Sequence, residues 1–362
     1  VGLNPQSMRA MKILIIMQRA NGDVFLTLPL IRALQLEYPN ARIDMLVNDD
    51  TLGIAKTLPH INQFIVFSYA KKKAGLRARL SQERDIIQKI WRQYDLSINL
   101  TASDRSVQYA IMASKNSISA IEPQASKSWW KKRLLKHHYF IDTQLHIAEN
   151  NCKPLQFLTH SSAPIQVRPE VATSALERMQ KKLRAEGIDE FWILHAGAQY
   201  DYKIYPRQLR NELIHQLTEQ GLTLIATGGN TTIDQRISAE LPNLPNCHNW
   251  IGQTSLSELI ALVSLSQGYI GMDTLVMHIA ASLNKPVFAV FGPTLTSVWS
   301  PWKNTPEQKI RIFQADMPCV PCGQAGCDNR HGKSECLTHI SPQIIARDVY
   351  QFCDARTKAL AQ

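Results

Sequence analysis

Short apolar runs rich in β-branched residues alternate along the chain with longer segments whose apolar positions recur every three to four residues. Runs of the first kind suit strands buried on both faces, and segments of the second kind suit crossover helices. Their alternation therefore predicts parallel strands joined by helices. In the first half the runs predict strands at Lys12–Met17, Arg42–Val47, Phe64–Phe67, Leu96–Leu100 and Ser117–Ile121. The segment Phe25–Tyr38, with Leu28, Ile31 and Leu34 on one face, predicts the first crossover helix. From Asn150 to Val171 periodicity fades and Pro154, Pro164 and Pro169 accumulate, as expected of a crossing between domains. A second series follows: helix Ala172–Glu186, strand Trp192–Ala196, helix Arg207–Glu219, strand Thr223–Thr227, helix Leu256–Leu265, and strands Tyr269–Gly271 and Val287–Phe291. The pattern predicts an α/β chain of two doubly wound, Rossmann-like domains facing a central cleft, over residues 11–165 and 172–340. The last segment, 341–362, reads as a helix with room to fold back on the first domain.

Composition agrees with this division. A chain of 362 residues with 44% hydrophobic content is too long for one ordinary core and can fill two. The charged fraction of 19% argues against disorder away from the ends. No run of about 18 apolar residues is present, and the first residues lack the apolar core of a secretory signal, so a cytoplasmic enzyme is the expectation. Val1–Ala10 reads as a lead before the first apolar run, which opens at Met11. A net charge of +10 favours polyanions, whether membrane surfaces, nucleic acids or phosphorylated glycolipids. The excess gathers in Lys71, Lys72, Lys73, Arg77 and Arg79, and again in Lys127, Lys131, Lys132, Arg133 and Lys136. Such runs serve equally as a solvated face or as a docking face for an acidic ligand.

Chemistry gathers where strands end. The first strand runs into Asn21-Gly22-Asp23-Val24 and a helix, where open α/β sheets bind ligands, although Gly22 as a turn and Asp23 as a cap would explain the same residues. His195-Ala196-Gly197 ends a later strand. Lys203, before Pro206 and a helix start, could meet a diphosphate or simply be solvated. Gly228-Gly229 follows the next strand and admits close backbone approach or a plain turn. Asp273-Thr274 opens a helix that carries His278, with capping and a core histidine as the plainer reading, and Gly292-Pro293-Thr294 follows the strand after it. No G-x-G-x-x-G follows the first strand, and His331-Gly332-Lys333-Ser334 lacks the earlier glycine of a P-loop, which disfavours dehydrogenases and P-loop NTPases. A D-x-D pair is also absent, which favours a diphosphate site without metal. Cys319, Cys322, Cys327 and Cys336 stand at C-x2-C-x4-C-x8-C spacing with His331 and His339 nearby, a density that could hold zinc or iron.

Taken in order, Asn21-Gly22-Asp23-Val24, His195-Ala196-Gly197, Lys203 with Pro206, Asp273-Thr274 with His278-Ile279-Ala280-Ala281, and Phe291-Gly292-Pro293-Thr294 resemble the glycosyltransferase family 9 heptosyltransferases. The resemblance covers nearly the whole chain from Met11 and is most specific between Asp273 and Thr294. It implies a GT-B fold and an inverting, metal-independent transfer of heptose from ADP-heptose to a lipopolysaccharide inner-core acceptor, Kdo or heptose, with no cofactor. Asp23 would be the general base, and Lys203 would steady the departing diphosphate. The donor would contact His195, Gly197, Gly228, Asp234, Asp273, Thr274, His278, Gly292, Pro293 and Thr294. The acceptor would contact Asn21, Gly22, Arg105, Lys131, Lys132 and Arg133. The implied setting is the cytoplasmic face of the inner membrane, with peripheral attachment and no nucleic acid. Two departures stand out. Leu275 follows the Asp-Thr pair where family members commonly carry glycine, and Asp234 matches the family's ribose-binding acid only by position. The cysteine tail resembles that of many heptosyltransferases, in which it need not hold metal, so no metal ligand is expected. Two rivals stay open: transfer of another nucleotide sugar to a different glycan or protein, and a non-catalytic nucleotide-sugar or polyanion binding protein.

Overall fold

In the computed structural model, which describes residues 10–123, 125–158 and 167–360, the chain falls into two units, Val1–Glu170 and Val171–Gln362. Part of the expected crossing, with Pro164, and most of the lead before Met11 lie outside the described residues. The first unit carries strands β1 (Lys12–Met17), β2 (Arg42–Asn48), β3 (Ile61–Phe67), β4 (Leu96–Asn99), β5 (Ser117–Ile121) and β6 (His137–Phe140). The second carries β7 (Trp192–His195), β8 (Leu224–Ala226), β9 (Cys247–Asn249), β10 (Tyr269–Met272), β11 (Val287–Val290) and β12 (Ile310–Phe313). Every pairing is parallel, in the orders β3-β2-β1-β4-β5-β6 and β12-β11-β10-β7-β8-β9. Counted within each unit the two orders are the same, the doubly wound order in which strand sequence reverses once.

The inner strands form because their side chains are apolar on both faces. Ile13 to Met17 are buried in β1, as is every residue of β5, β10 and β11. In the first unit Leu14, Ile16, Leu46 and Ile65 pack against Ile86 and Ile90 of the helix Leu76–Ile90. In the second, Leu194, Ile270, Met272, Phe288 and Val290 pack against Ile214 and Leu217 of the helix Arg207–Glu219. Ile345, Ala346 and Val349 of the final helix, Pro342–Leu360, enter that same core, so its apolar face is occupied within the second unit.

The expected first crossover helix is two helices, Asn21–Phe25 and Leu28–Glu37. Pro29, at the second position of the latter, has no N–H to give and its ring would clash with the carbonyl four residues earlier, so one helix cannot run through it. Strands β6, β9 and β12, and the helix Thr232–Glu240, were not anticipated. Among the described residues no helix is long and apolar enough to cross a membrane.

Candidate functional site

Strands β7 and β10 are neighbours in the second sheet, with Gly271 opposite His195. Strand order reverses between them, so the loops leaving their carboxyl ends diverge and leave room for a ligand. Gly271 has to be glycine, because a Cβ there would collide with the His195 carbonyl. Lys203 comes from the loop after β7 and Asp273 from the end of β10. Lys203 Nζ donates to Asp273 Oδ2 at 2.8 Å, the ammonium 25% exposed and the carboxylate 7%. Thr274 takes extended backbone and starts the helix Leu275–Ser282 without capping it through its side chain, so the first-turn amides stay available to an anion. Leu275 has ordinary helical backbone. The missing family glycine therefore strains nothing, and adds a side chain beside those amides.

Around this pair the loops are tied in place. His195 Nδ1 lies 3.0 Å from the Thr227 hydroxyl. Burial pushes the imidazole down to about 4, outweighing the Asp234 carboxylate and the contact with Thr227, so the ring is neutral at physiological pH. Asp234 stands third in the helix Thr232–Glu240. Its Oδ2 accepts from the Thr231 hydroxyl at 2.6 Å and the Thr231 amide at 3.2 Å, closing a capping box. Its Oδ1 leaves no room for a side chain on its neighbours: a Cβ would approach it to 2.7 Å from Gly197 and 2.9 Å from Gly228. Helix capping alone accounts for an acid at position 234, and the ribose contact expected of it is not needed to explain its presence.

The third loop follows β11. Gln314 Nε2 donates to the carbonyls of Gly292 at 2.8 Å and Thr294 at 2.9 Å, and the Gly323 amide donates to Pro293 O at 2.8 Å. All three carbonyls are thus committed, and Gln314, which sequence reading missed, is the residue that commits two of them. A lone glutamine after an edge strand gave no signal. His278 lies one turn inside the helix Leu275–Ser282 and is 4% exposed, with the buried Ser282 one turn further along.

In the first unit, strand order reverses between β1 and β4, and Asp23 sits just beyond β1, 4% exposed. Its Oδ1 makes no hydrogen bond. Arg19 Nε lies 3.2 Å away in an ion pair without hydrogen-bond alignment. Burial pushes the Asp23 carboxyl above its ordinary value, while Arg19 and the amides of Ala20 and Asp23 hold it back. Ala20, not Asp23, is the cap of the helix Asn21–Phe25. The carboxylate borders a narrow crevice with Met17, Leu100, Tyr139 and Asn151. Asn21 is exposed and Gly22 half-buried on the same turn. Arg105, beyond β4, stacks its guanidinium 3.8 Å over the Phe67 ring, with Nε buried and without a hydrogen-bond partner.

The basic cluster requires a correction. Lys131 is fully buried, with Nζ 2.6 Å from Asp104 Oδ1, 2.5 Å from Glu122 Oε2 and 3.1 Å from the Ala102 carbonyl. Its charge is spent inside the unit, so it offers nothing to an acceptor. Burial alone would lower this ammonium, but the two carboxylates overcome it and raise it. Lys132 and Arg133 are exposed, as are Lys71, Lys72 and Lys73, whereas the side chain of Lys127 lies outside the described residues. Among the cysteines, Cys319, Cys322 and Cys327 are exposed and Cys336 is buried. Burial pushes the Cys336 thiol up to about 11, and the other three thiols add to the shift. Among the described residues no three metal-ligating side chains are grouped closely enough to hold an ion.

The model for "Glycosyltransferase family 9 (heptosyltransferase)" matches residues 84–332. Lipopolysaccharide heptosyltransferase 3 of Escherichia coli strain K12 is 28% identical over 292 residues, 78% of this chain and 83% of its own length. A glycosyl transferase family 9 structure from Veillonella parvula superposes with a TM-score of 0.73 at 18% identity, covering 95% of this chain and 98% of that one. E. coli heptosyltransferase WaaC with ADP-2-deoxy-2-fluoro heptose superposes with a TM-score of 0.69 at 18% identity, covering 96% of this chain and 100% of that one.

Proposed function

The chain belongs to glycosyltransferase family 9, the heptosyltransferases, and from that premise we propose that it moves heptose from ADP-heptose to a Kdo or heptose of the lipopolysaccharide inner core, with inversion. The observation that carries the reading is the Lys203–Asp273 pair at the strand-order reversal of the second sheet, beside the open first turn of the helix Leu275–Ser282. An ammonium and unpaired amides at one point suit a diphosphate. The relative solved with an ADP-heptose analogue shares this fold, and the curated relative shares the lipopolysaccharide assignment.

In this mechanism an acceptor hydroxyl attacks the anomeric carbon from the face opposite the diphosphate. The new carbon–oxygen bond forms as the bond to the β-phosphate oxygen breaks, and Asp23 takes the hydroxyl proton. A carboxyl raised by burial is a stronger base than an exposed one. Lys203 and the amides after Thr274 stabilise the charge that gathers on ADP, which leaves no step that needs a divalent ion. Arg105, Lys132 and Arg133 meet the acidic acceptor, and the net charge of +10 holds the enzyme at the anionic cytoplasmic face of the inner membrane.

The test is release of ADP from ADP-heptose with truncated core acceptors, run with and without EDTA, with the anomeric configuration of the product read by NMR. Inverted product formed equally well in EDTA supports the proposal. Retained configuration, a requirement for metal, or turnover only with another nucleotide sugar would each overturn the corresponding part.

A further inference from the structure

A cavity of 590 Å³ lies in the second unit apart from the Lys203–Asp273 pair, bordered by the start of the helix Arg207–Glu219, by Arg236 and Glu240, and by the loop His331–Ser334. Lys203 does not line it, although Asp201 and Ile204 on either side do. Its volume is that of a small-ligand site.

The charges around it do not balance. Arg207, Arg210, Arg236 and Lys333 line it against only Asp201 and Glu240. Asp201 is paired with Arg236, and Glu240 with Arg210 at 2.9 Å. Among the described residues no carboxylate pairs with Arg207 or Lys333, which leaves two cations in surplus. Arg207 is moreover the first residue of its helix, where the aligned peptide dipoles already present positive charge and a cation is unfavourable. The cap is Pro206, which has no side-chain acceptor, and the first turn holds no acidic residue, so its amides also go unanswered. Arg207 and Arg236 press on the buried Arg210 as well. A natural sequence that collects like charge at one point, without a local gain, marks a functional position.

An independent observation points the same way. Ser334, 5% exposed and on the cavity wall, has a buried hydroxyl without a hydrogen-bond partner. Buried polar groups are nearly always satisfied, so an orphan on the wall of a cationic cavity signals a missing ligand atom. The loop that brings Lys333 and Ser334 here is braced: the His331 amide donates to Ala325 O at 2.7 Å, the Cys327 amide to Lys333 O at 3.1 Å, and the His331 ring stacks 5.1 Å from Tyr200.

We propose that this cavity is a second anion site, distinct from the Lys203–Asp273 pair although it borders the same loop after β7, that takes a phosphoryl group between Arg207, Lys333, the Ser334 hydroxyl and the first-turn amides. The group is either inorganic phosphate or pyrophosphate from solution, or a phosphate carried by the glycan acceptor. Only the second source rests on the transfer reading above.

The full chain, with and without saturating ADP, is titrated calorimetrically with inorganic phosphate and with pyrophosphate at constant ionic strength. The same titrations are run on Arg207→Ala with Lys333→Ala, and on Arg207→Gln; both side chains are exposed, so folding is not at stake. Binding of either anion that persists under saturating ADP, falls at least about tenfold in the double variant, and leaves ADP affinity within about twofold, supports the proposal. For the acceptor source, the double variant raises KM for a phosphorylated core acceptor to that of its dephosphorylated form, which itself does not move. Displacement of the anion by ADP, or parallel loss of ADP affinity in the variant, would place the cavity within the donor site and overturn it. So would the absence of anion binding together with an unchanged KM for phosphorylated acceptor.

Discussion

The two sheets share one strand order, yet they hold the charge at their reversal points in different ways. In the second unit, Lys203 and Asp273 come from loops 70 residues apart and meet at 2.8 Å. In the first, the side chain that pairs with Asp23 among the described residues is Arg19, four residues before it, at 3.2 Å, with nearby backbone amides beside it, and one of its oxygens makes no hydrogen bond. A pair drawn from two loops fixes both before any ligand arrives, which suits a site whose task is to grip. A carboxylate that is buried, raised and loosely held is free to change protonation, which suits a site whose task is to accept a proton. Under the proposed function this difference would divide the labour, with binding in the second unit and chemistry in the first.

The largest effect that can break this division is on turnover. Asp23→Asn keeps shape and removes the base, so kcat should fall about a hundredfold to ten-thousandfold while calorimetric affinity for ADP holds. Turnover near wild type would show that Asp23 is not the base. Lys203→Ala should weaken ADP binding by about tenfold to a hundredfold and lower turnover with it, because a charge-assisted contact is lost both before and during departure. If only turnover moves, the pair does not grip the ground state.

Stability gives the next contrast. Lys131→Ala leaves Asp104 and Glu122 without their shared cation. Those acids are 68% and 32% exposed, so the cost is discounted from that of a buried pair to about 1–3 kcal/mol, read by urea denaturation. Lys132→Ala with Arg133→Ala should change stability by less than about 0.5 kcal/mol and raise KM for the acceptor alone. Equal destabilisation by both sets would mean that the exposed pair is structural too.

The smallest effect is on a slope. His195 is held at about 4 when folded against an ordinary 6.5, so the unfolded chain binds its proton first as pH falls. Stability from this residue is present above the unfolded value and is lost as pH drops through the window from 6.5 to 4. Asp23, raised on folding, has the opposite sign and lends stability that disappears as pH rises through its folded value. Tm measured against pH should be flatter across that window in His195→Gln than in wild type, and an unchanged slope would mean that the ring is not desolvated.

Legibility in the sequence followed burial. Strands β1 and β5 were read to the residue because apolar side chains cover both faces, whereas β6, β9 and β12 are outermost or nearly lacking in aliphatic residues, as in Cys247-His248-Asn249, and their pattern is faint. The places of Asp23, Lys203 and Asp273 after strand ends were visible because each follows a short apolar run, and strand-end loops are where such sheets bind ligands. That Lys203 and Asp273 touch was not visible, since nothing in a linear spacing of that length encodes contact. Lys131 was misread for a related reason: a run of basic residues looks the same whether one of them points outward or into a pair of acids on other elements. Gln314 was invisible because its task is to hold carbonyls, and any residue has those.

The final helix has a consequence for how the chain comes to be folded at all. Ile345, Ala346 and Val349 complete the core around β7, β10 and β11, and the Tyr205 hydroxyl donates to the Ile340 carbonyl at 2.5 Å. During synthesis the first unit has every one of its strands by Phe140 and can close while the ribosome is still working. The second unit has no such liberty, because the face of its central strands that the helix Arg207–Glu219 covers only in part stays incomplete until residues near 349 have left the exit tunnel. Of the two units it is therefore the one that spends longest with apolar strands open to other chains, and the one whose yield should depend most on chaperones.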